Sequence, residues 1–157
     1  PIPRHTLEML SELLRYQLYG GNQQVPVRRE IDYLKTYMDF QRLRMSKRLV
    51  LEVHIDDKLK DQEIYPLLFL PLIENAFKYV GGEYKINLNM SLEDEKIIFC
   101  IENSKPLNPP EKTVRKGIGL ENLQRRLVLL YPDKYSLEIQ DKPFCFIARL
   151  TIETDNV

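Results

Sequence analysis

Two strand-like segments, one that alternates apolar and polar residues and one that is wholly apolar, flank a short polar turn, and this pattern constrains the fold most. Every second residue over 86–91 is apolar, 93–96 reads Glu-Asp-Glu-Lys, and apolar residues resume over 97–101. Alternation with a period of two places apolar side chains on one face of a strand, so the segments predict a β-hairpin with a buried face. A hairpin of this kind needs further elements to cover it.

The rest of the chain predicts those elements. Apolar spacings of three and four predict helices over 5–19, 26–45, 66–80 and 120–130, and alternation predicts a strand over 49–55. The segments 135–139 and 144–152, on either side of Asp141-Lys142-Pro143, predict a second hairpin. Glycines after the first helix predict an αα-hairpin, whose narrow apolar faces need something to pack on. Strands that arrive with helices between them predict an α+β fold, with helices covering a mixed sheet.

The composition excludes several classes of function. The 157 residues carry 23 Lys and Arg against 23 Asp and Glu, a net charge of zero that gives no basis for binding nucleic acid or an anionic membrane. No apolar run reaches the roughly 18 residues that span a bilayer. Cys100 and Cys145 are too few for a disulfide framework, and we expect them to be small buried core residues.

One predicted helix carries polar residues suited to binding. Asn75, Lys78 and Tyr79 lie three and four residues apart and share one side of the helix over 66–80. An amide oxygen, an ammonium group and an aromatic ring can bind a hard cation, a phosphate and an aromatic base. On these residues alone, a solvated helix edge is the alternative.

A second candidate lies where the proline-rich loop over 106–116 meets the last predicted helix. Gly117, Gly119 and Leu120 form a G-x-G-L sequence that follows Lys116. Glycines let a ligand approach the backbone, and a helix N-terminus attracts phosphate. A single G-x-G is weak evidence, and it matches neither the Rossmann nor the Walker pattern.

These segments resemble those of a known family. LPLIENAFKY (70–79) resembles the N-box of sensor histidine kinases, and GIGLENLQRRLVLLYP (117–132) resembles their glycine box. LSELLRYQLY (10–19) and EIDYLKTYMDFQRLR (30–44) are similar to the helices that precede the ATPase domain in the LytS-like branch. The resemblance covers about 7–152 and implies the GHKL (Bergerat) ATP-binding fold, a two-layer α/β sandwich.

The resemblance implies two parts in the chain. Residues 1–48 would be a helical segment from the dimerisation and phosphotransfer region, and residues 49–157 the ATP-binding catalytic domain. The branch carries its acceptor histidine upstream of 10–19, in a motif that this chain lacks. We expect His5 and His54 to be ordinary surface residues. We therefore interpret the chain as a piece of a longer kinase that does not phosphorylate itself.

The resemblance also implies roles for individual residues. Asn75 would bind Mg²⁺ and bridge it to the phosphates of ATP. The glycines would present backbone to phosphate, and the loop over 106–116 would form a lid. The residues implied to bind the nucleotide are Asn75, Lys78, Tyr79, Asn103, Lys116, Gly117, Gly119 and Leu120.

One position departs from the pattern of the family. Asn103 stands where an Asp usually accepts a hydrogen bond from adenine, so an acceptor remains but its charge is lost. Glu102 would take this position if the register differed by one. We prefer Asn103, because alternation places it on the same side of the strand as Phe99 and Ile101.

A second departure concerns the reaction. Hydrolysing relatives such as gyrase and MutL place a glutamate base four residues before the Mg²⁺-binding asparagine, whereas this chain has Pro71, which cannot activate water. Glu74, next to Asn75, is the candidate catalytic residue, able to contact a histidine presented from outside; a solvated carboxylate is the alternative. The pattern favours phosphoryl transfer to histidine over hydrolysis.

The resemblance thus implies the ATP-binding part of a two-component sensor histidine kinase, with ATP and Mg²⁺ as cofactors. The phosphoryl group would pass to a histidine outside this chain, then to an aspartate of a response regulator, possibly of LytTR type. The intact protein would be a homodimer in the bacterial inner membrane, and this part would be cytoplasmic without direct membrane contact. The alternative is a degenerate GHKL scaffold that signals or dimerises with little or no ATP binding, which Asn103 permits.

Overall fold

The structure, a computed structural model, describes residues 4–19, 23–106 and 118–154. The helices are α1 (Arg4–Tyr19), α2 (Val27–Arg44), α3 (Leu70–Tyr79) and α4 (Ile118–Leu130). The strands are β1 (Val25–Pro26), β2 (Val50–Ile55), β3 (Glu63–Ile64), β4 (Lys85–Glu93), β5 (Lys96–Ser104), β6 (Tyr135–Asp141) and β7 (Cys145–Glu153). In the part of the chain described, no helix is long and apolar enough to cross a membrane.

Five strands form one mixed sheet in the order β2-β4-β5-β7-β6. β2 runs parallel to β4, and the other neighbours are antiparallel. The predicted β4–β5 hairpin is confirmed, with Leu88 opposite Ile101 and Glu93 opposite Lys96 at the turn. The α+β prediction, with helices over a mixed sheet, is also confirmed.

The core lies between the sheet and the helices. Every second residue is buried along β5 and β7, and along β4 as far as Met90. The Phe69 ring, just before α3, stacks on Phe99 of β5 with 4.9 Å between ring centroids. From α4, Leu123 and Leu127 are fully buried in the same core. The opposite face of the sheet carries polar and half-buried side chains.

Helix α2 shares this core. Val27, Ile31, Leu34 and Met38 are buried together with residues of the sheet, and α1 packs against α2. The narrow apolar stripe predicted on the second helix is therefore buried in this core as far as Met38, and Met45 is partly buried against it. Where the chain divides into domains, placed at residue 48 from the sequence, stays a prediction.

The predicted helix over 66–80 begins four residues too early. Leu67 has a left-handed backbone, with φ of 64°, and its N–H donates to Glu30 Oε2 at 2.8 Å. A left-handed residue interrupts an α-helix. The helix starts only at Leu70, where Pro71 falls in the first turn and removes no hydrogen bond. The hydrogen bond from Leu67 to Glu30 joins residues far apart in the sequence, so no local sequence pattern predicts it.

Two further sequence predictions need correction. Strands β1 and β3 have two residues each and pair with one another across long sequence separation, so alternation cannot detect them. Cys100 and Cys145 are half-buried, not core residues. Cys100 lies between the buried Phe99 and Ile101 on β5, so its side chain falls on the opposite face of the sheet.

Candidate functional site

Helix α3 has an apolar side on the sheet and a polar side away from it. Leu72, Ile73 and Ala76 are buried, whereas Lys78 is exposed and Asn75 and Tyr79 are half-buried. The Lys78 ammonium lies 5.4 Å from the centroid of the Tyr79 ring, within cation–π range. The three polar residues predicted for the site therefore share one accessible side of a helix that the core holds.

Glu74 is exposed, but it lies near α2. Partial desolvation raises the pKa of its carboxyl group. Its charge acts on Tyr37 of α2, whose pKa rises to about 12, first through desolvation and second through Glu74. The structure thus places Glu74 on the α2 side of α3, where its carboxylate is accessible.

Asn103 lies on the helix-covered side of β5, as predicted. It is 1% exposed, and its side chain lies on the same face of β5 as those of Phe99 and Ile101. Its Nδ2 donates to the carbonyl oxygen of Ser104 at 3.1 Å. Because α3 packs on β5, this buried amide lies in the layer beneath the helix that carries Asn75.

Glu102, the alternative to Asn103, lies on the other face of the sheet. It is exposed and lines a cavity of about 750 Å³ together with Glu52, Lys85 and Asn87. Lys85, Asn87 and Glu102 face away from the helix layer, because each is an exposed residue next to a buried one along its strand. The register that would bring Glu102 to the predicted site is therefore wrong.

A glycine turn connects α3 to β4 and was missed in the sequence. Gly82 has φ of 62°, and a Cβ added there would lie 2.3 Å from the carbonyl oxygen of Lys105. A Cβ on Gly81 would lie 2.7 Å from Cγ of Pro106. The turn therefore packs directly against the start of the predicted lid. Two adjacent glycines after a helix were the available signal.

Ser104 ties this turn to the end of β5. Its Oγ donates to the carbonyl oxygen of Gly81 at 2.6 Å and accepts from the N–H of Lys85 at 2.8 Å. The N–H of Gly81 donates to the carbonyl oxygen of Ser104 at 3.0 Å. Three hydrogen bonds thus join the turn after α3 and the start of β4 to the residue after Asn103.

Lys105, which follows, is buried and paired. Its ammonium group contacts the Asp141 carboxylate and donates to the carbonyl oxygen of Lys142 at 2.6 Å. These contacts anchor the end of β5 to the β6–β7 turn. Lys105 therefore has a structural role at the edge of the site.

The glycine-rich candidate falls partly within the structure. Gly119 and Leu120 lie in the first turn of α4, and a Cβ added to Gly119 would meet no atom within 4 Å. Packing within the described residues therefore does not require a glycine at 119. Lys116 and Gly117 lie outside the described residues, as does the predicted lid after Pro106.

The described residues fit a magnesium nucleotide in their chemistry. Asn75 supplies an uncharged oxygen, the kind of ligand that Mg²⁺ accepts alongside phosphate oxygens and water. Within residues 4–19, 23–106 and 118–154, no three His, Cys, Asp or Glu side chains cluster as a metal site. A metal held by one protein oxygen and the phosphates of a ligand needs no such cluster.

Comparison with known sequences gives consistent matches. The family model described as Histidine kinase matches residues 3–49. Sensor histidine kinase YesM of Bacillus subtilis is 30% identical over 143 residues, 87% of this chain and 25% of the relative. Sensor protein LytS of Oceanobacillus iheyensis is 28% identical over 157 residues, 88% of this chain and 27% of the relative. The chain thus spans about a quarter of the length of these relatives.

Solved structures share the fold. Histidine kinase AdeS of Acinetobacter baumannii superposes with a TM-score of 0.59 at 19% identity, covering 96% of this chain and 76% of that one. The catalytic domain of histidine kinase ThkA, in a nucleotide-free form, gives 0.57 at 14% identity, covering 83% and 93%. The mixed sheet is therefore that of histidine kinase catalytic domains. Matching sequences and shared fold agree: over most of its length the chain is similar to sensor histidine kinases, LytS among them, and it has the fold of histidine kinase catalytic domains.

Proposed function

We propose that this chain is the ATP-binding catalytic part of a sensor histidine kinase, which transfers the γ-phosphoryl group of ATP to a histidine that the chain itself does not supply. The observation that carries the proposal is the accessible side of α3, where Asn75, Lys78 and Tyr79 lie together above a buried Asn103. The phosphoryl group would then pass to an aspartate of a response regulator.

The metal and phosphate end of the site would be formed by α3 and the start of α4. Asn75 would hold Mg²⁺ through its amide oxygen, and Lys78 is free of the core to neutralise phosphate charge. Gly119 and Leu120, in the first turn of α4, would present backbone N–H groups where the helix dipole favours anions. Lys116 and Gly117 would complete this end. Bound Mg²⁺ would supply charge neutralisation on the phosphates.

The base would be read by Asn103. The side-chain amide nitrogen of Asn103 donates to the carbonyl oxygen of Ser104. Its side-chain oxygen is the group that can accept a hydrogen bond from the amino group of adenine. A neutral acceptor makes a weaker hydrogen bond than a carboxylate, so we expect modest affinity for the base. Tyr79 would flank the nucleotide through its ring.

Transfer to histidine is favoured over hydrolysis. Pro71 occupies the position of the hydrolytic base and carries no titratable group. The accessible carboxylate of Glu74, with a raised pKa, is suited to contact an incoming imidazole and to share its proton. A response regulator, of LytTR type, and a second copy of the parent protein are the partners we propose. We place the parent at the bacterial inner membrane, with this part in the cytoplasm.

The proposal is tested by titration calorimetry with Mg²⁺ and a non-hydrolysable ATP analogue. We expect saturable binding that disappears with EDTA and weakens about tenfold or more in Asn75→Ala, since a bond between charged and polar groups contributes about 1.5–3 kcal/mol. Asn89→Ala, on the exposed face of β4, is the matched control and should bind like the unaltered chain.

The alternative function is a scaffold without ATP binding. The replacement of a charged acceptor by Asn103 is the observation that favours it. The absence of binding at millimolar nucleotide would refute the kinase proposal and favour the scaffold. Binding that is unchanged in Asn75→Ala would show that the metal ligand is assigned to the wrong residue.

A further inference from the structure

The segment that leads into α3 is held by side chains from two other helices. Glu30 of α2 accepts from the N–H of Leu67 at 2.8 Å. Arg126 of α4 donates through Nη2 to the carbonyl oxygen of Pro66 at 3.0 Å and through Nη1 to that of Leu67 at 3.2 Å. Both backbone polar groups of Leu67 are therefore bound by charged side chains.

The burial of these charges is costly. Glu30 is fully buried, and Arg126 is half-buried. Desolvation lowers the pKa of Arg126, while the nearby charge of Glu30 raises it. A buried carboxylate is maintained only where a cation and hydrogen bonds compensate its lost hydration. An apolar residue at position 30 could fill the core without this cost of desolvation. The two charged side chains therefore meet a requirement of the Leu67 backbone, to which both are hydrogen-bonded.

That requirement is the backbone conformation of Leu67. With φ of 64°, this non-glycine residue occupies the left-handed region, which costs about 1–2 kcal/mol. Such a conformation persists where surrounding contacts determine it fully. Tyr131, after α4, is a third residue that holds this segment: its hydroxyl group accepts from the N–H of Tyr65 at 3.1 Å.

The turn lies at a junction of the elements that matter for the nucleotide. Three residues after Leu67 the chain enters α3, which carries Asn75. Arg126 lies about two turns along α4, which begins at Ile118. Glu30 belongs to α2, which connects this layer to α1. One pair of side chains thus joins α2, α3 and α4.

We propose that Glu30 and Arg126 are positioning residues of the nucleotide site. They hold Leu67 in its left-handed conformation, fix the start of α3, and so fix Asn75 relative to the first turn of α4. The affinity for nucleotide consequently depends on the position of α2 relative to α3. This inference rests on the proposed function.

The test compares Glu30→Ala with Glu30→Gln in the 157-residue chain. Alanine removes the acceptor for the Leu67 N–H, and we expect Mg²⁺-dependent binding of the ATP analogue to weaken about tenfold. Glutamine keeps a carbonyl oxygen at that place, and we expect the affinity to stay within about threefold of the unaltered chain.

Thr154→Val is the matched control for the loss of a buried hydrogen bond. Thr154 is buried and its hydroxyl donates to the carbonyl oxygen of Glu95 at 2.9 Å, at the turn between β4 and β5. We expect this variant to lower the melting temperature while leaving nucleotide affinity unchanged. An equal loss of melting temperature in Glu30→Ala with unchanged affinity would reduce Glu30 to a structural residue and overturn the proposal.

A second substitution tests whether Glu30 acts through Leu67. Glycine adopts positive φ without the steric cost, so a glycine at position 67 needs the hydrogen bonds from Glu30 and Arg126 less than leucine does. We expect Glu30→Ala to weaken binding much less in the Leu67→Gly background than alone. Additive effects of the two substitutions would contradict action through Leu67.

Hydrogen exchange of the nucleotide-free chain separates this inference from the proposed function. In Glu30→Ala we expect faster exchange of the α3 amides than in Thr154→Val, and this holds whether or not the chain binds ATP. If the unaltered chain binds no nucleotide but α3 exchanges faster in Glu30→Ala, the proposed function fails while the role of Glu30 in holding α3 stands. Unaltered exchange of α3 would refute that role.

Discussion

The two ends of α3 are fixed by opposite means. At its N-terminal end, charged side chains of α2 and α4 bind the backbone of Leu67. At its C-terminal end, Gly81 and Gly82 lack side chains, and the backbone of the turn packs against Lys105 and Pro106. Hydrogen bonds from side chains hold one end. Close backbone packing, which two residues without side chains permit, holds the other.

The two ends therefore connect α3 to different parts of the fold. Side chains at the first end connect α3 to the helices that frame the proposed site. Bare backbone at the second end brings α3 next to the strand end that carries Asn103 and Ser104. Substitutions at the two ends should therefore lower the free energy of unfolding by different amounts and for different physical reasons.

The largest effect should come from Gly82→Ala. The new Cβ would lie 2.3 Å from the Lys105 carbonyl oxygen, and the residue would keep a positive φ. We expect the free energy of unfolding to fall by about 2–4 kcal/mol, measured by urea denaturation. Gly81→Ala, which meets only the Pro106 ring, should cost less, about 1–2 kcal/mol. Equal losses would mean that the backbone contact does not dominate.

An intermediate effect is expected at the other end from Tyr131→Phe. The change removes the hydroxyl group that accepts from the Tyr65 N–H, and we expect a loss of about 1 kcal/mol in the free energy of unfolding. Tyr135→Phe is the control, because its hydroxyl group bonds to the exposed Gln124 and should contribute less than about 0.5 kcal/mol. A larger loss in the control would contradict the anchoring of this end.

A third glycine sharpens the comparison, because packing among the described residues does not require it. Gly119→Ala places a better helix former in α4, and we expect the chain to gain up to about 1 kcal/mol in stability. If the backbone at Gly119 contacts phosphate, nucleotide affinity should fall in the same variant. Thermal unfolding and calorimetry measure the two effects separately, and unchanged affinity would remove Gly119 from the proposed site.

The smallest effect concerns the middle of α3. The pKa of Glu74 is raised in the folded chain, so ionisation of this carboxyl disfavours folding and the cost disappears as pH falls through its folded pKa. Glu74→Gln should therefore stabilise slightly at pH 7 and have no effect near pH 4. Because the side chain is exposed and screened, we expect less than about 0.5 kcal/mol. A stabilisation that persists at low pH would contradict this cause.

The sequence predicts the parts of this structure that repeat locally. Alternation over 86–91 and the apolar run over 97–101 predict the β4–β5 hairpin. Strand parity counted from Phe99 and Ile101 predicts the inward position of Asn103. The same parity, applied to Cys100, would have placed it on the open face, so that error was avoidable.

The parts that were missed depend on distant contacts. The start of α3 is set by Glu30, which lies 37 residues from Leu67 and looks in the sequence like any charged residue on a charged helix. The β1–β3 pair joins two-residue strands, too short to show a pattern. Of the candidate site, the residues on α3 follow from helical spacing, but the packing of the Gly81–Gly82 turn on Lys105 requires the tertiary structure.

The central claim is that nucleotide binds on the α3 side of the sheet, and hydrogen exchange with and without the Mg²⁺–ATP analogue tests it most directly. We predict slower exchange over 70–84, over 103–106 and at the start of α4. Protection confined to the strands that line the cavity around Glu52, Asn87 and Glu102, on the opposite face, would contradict the account.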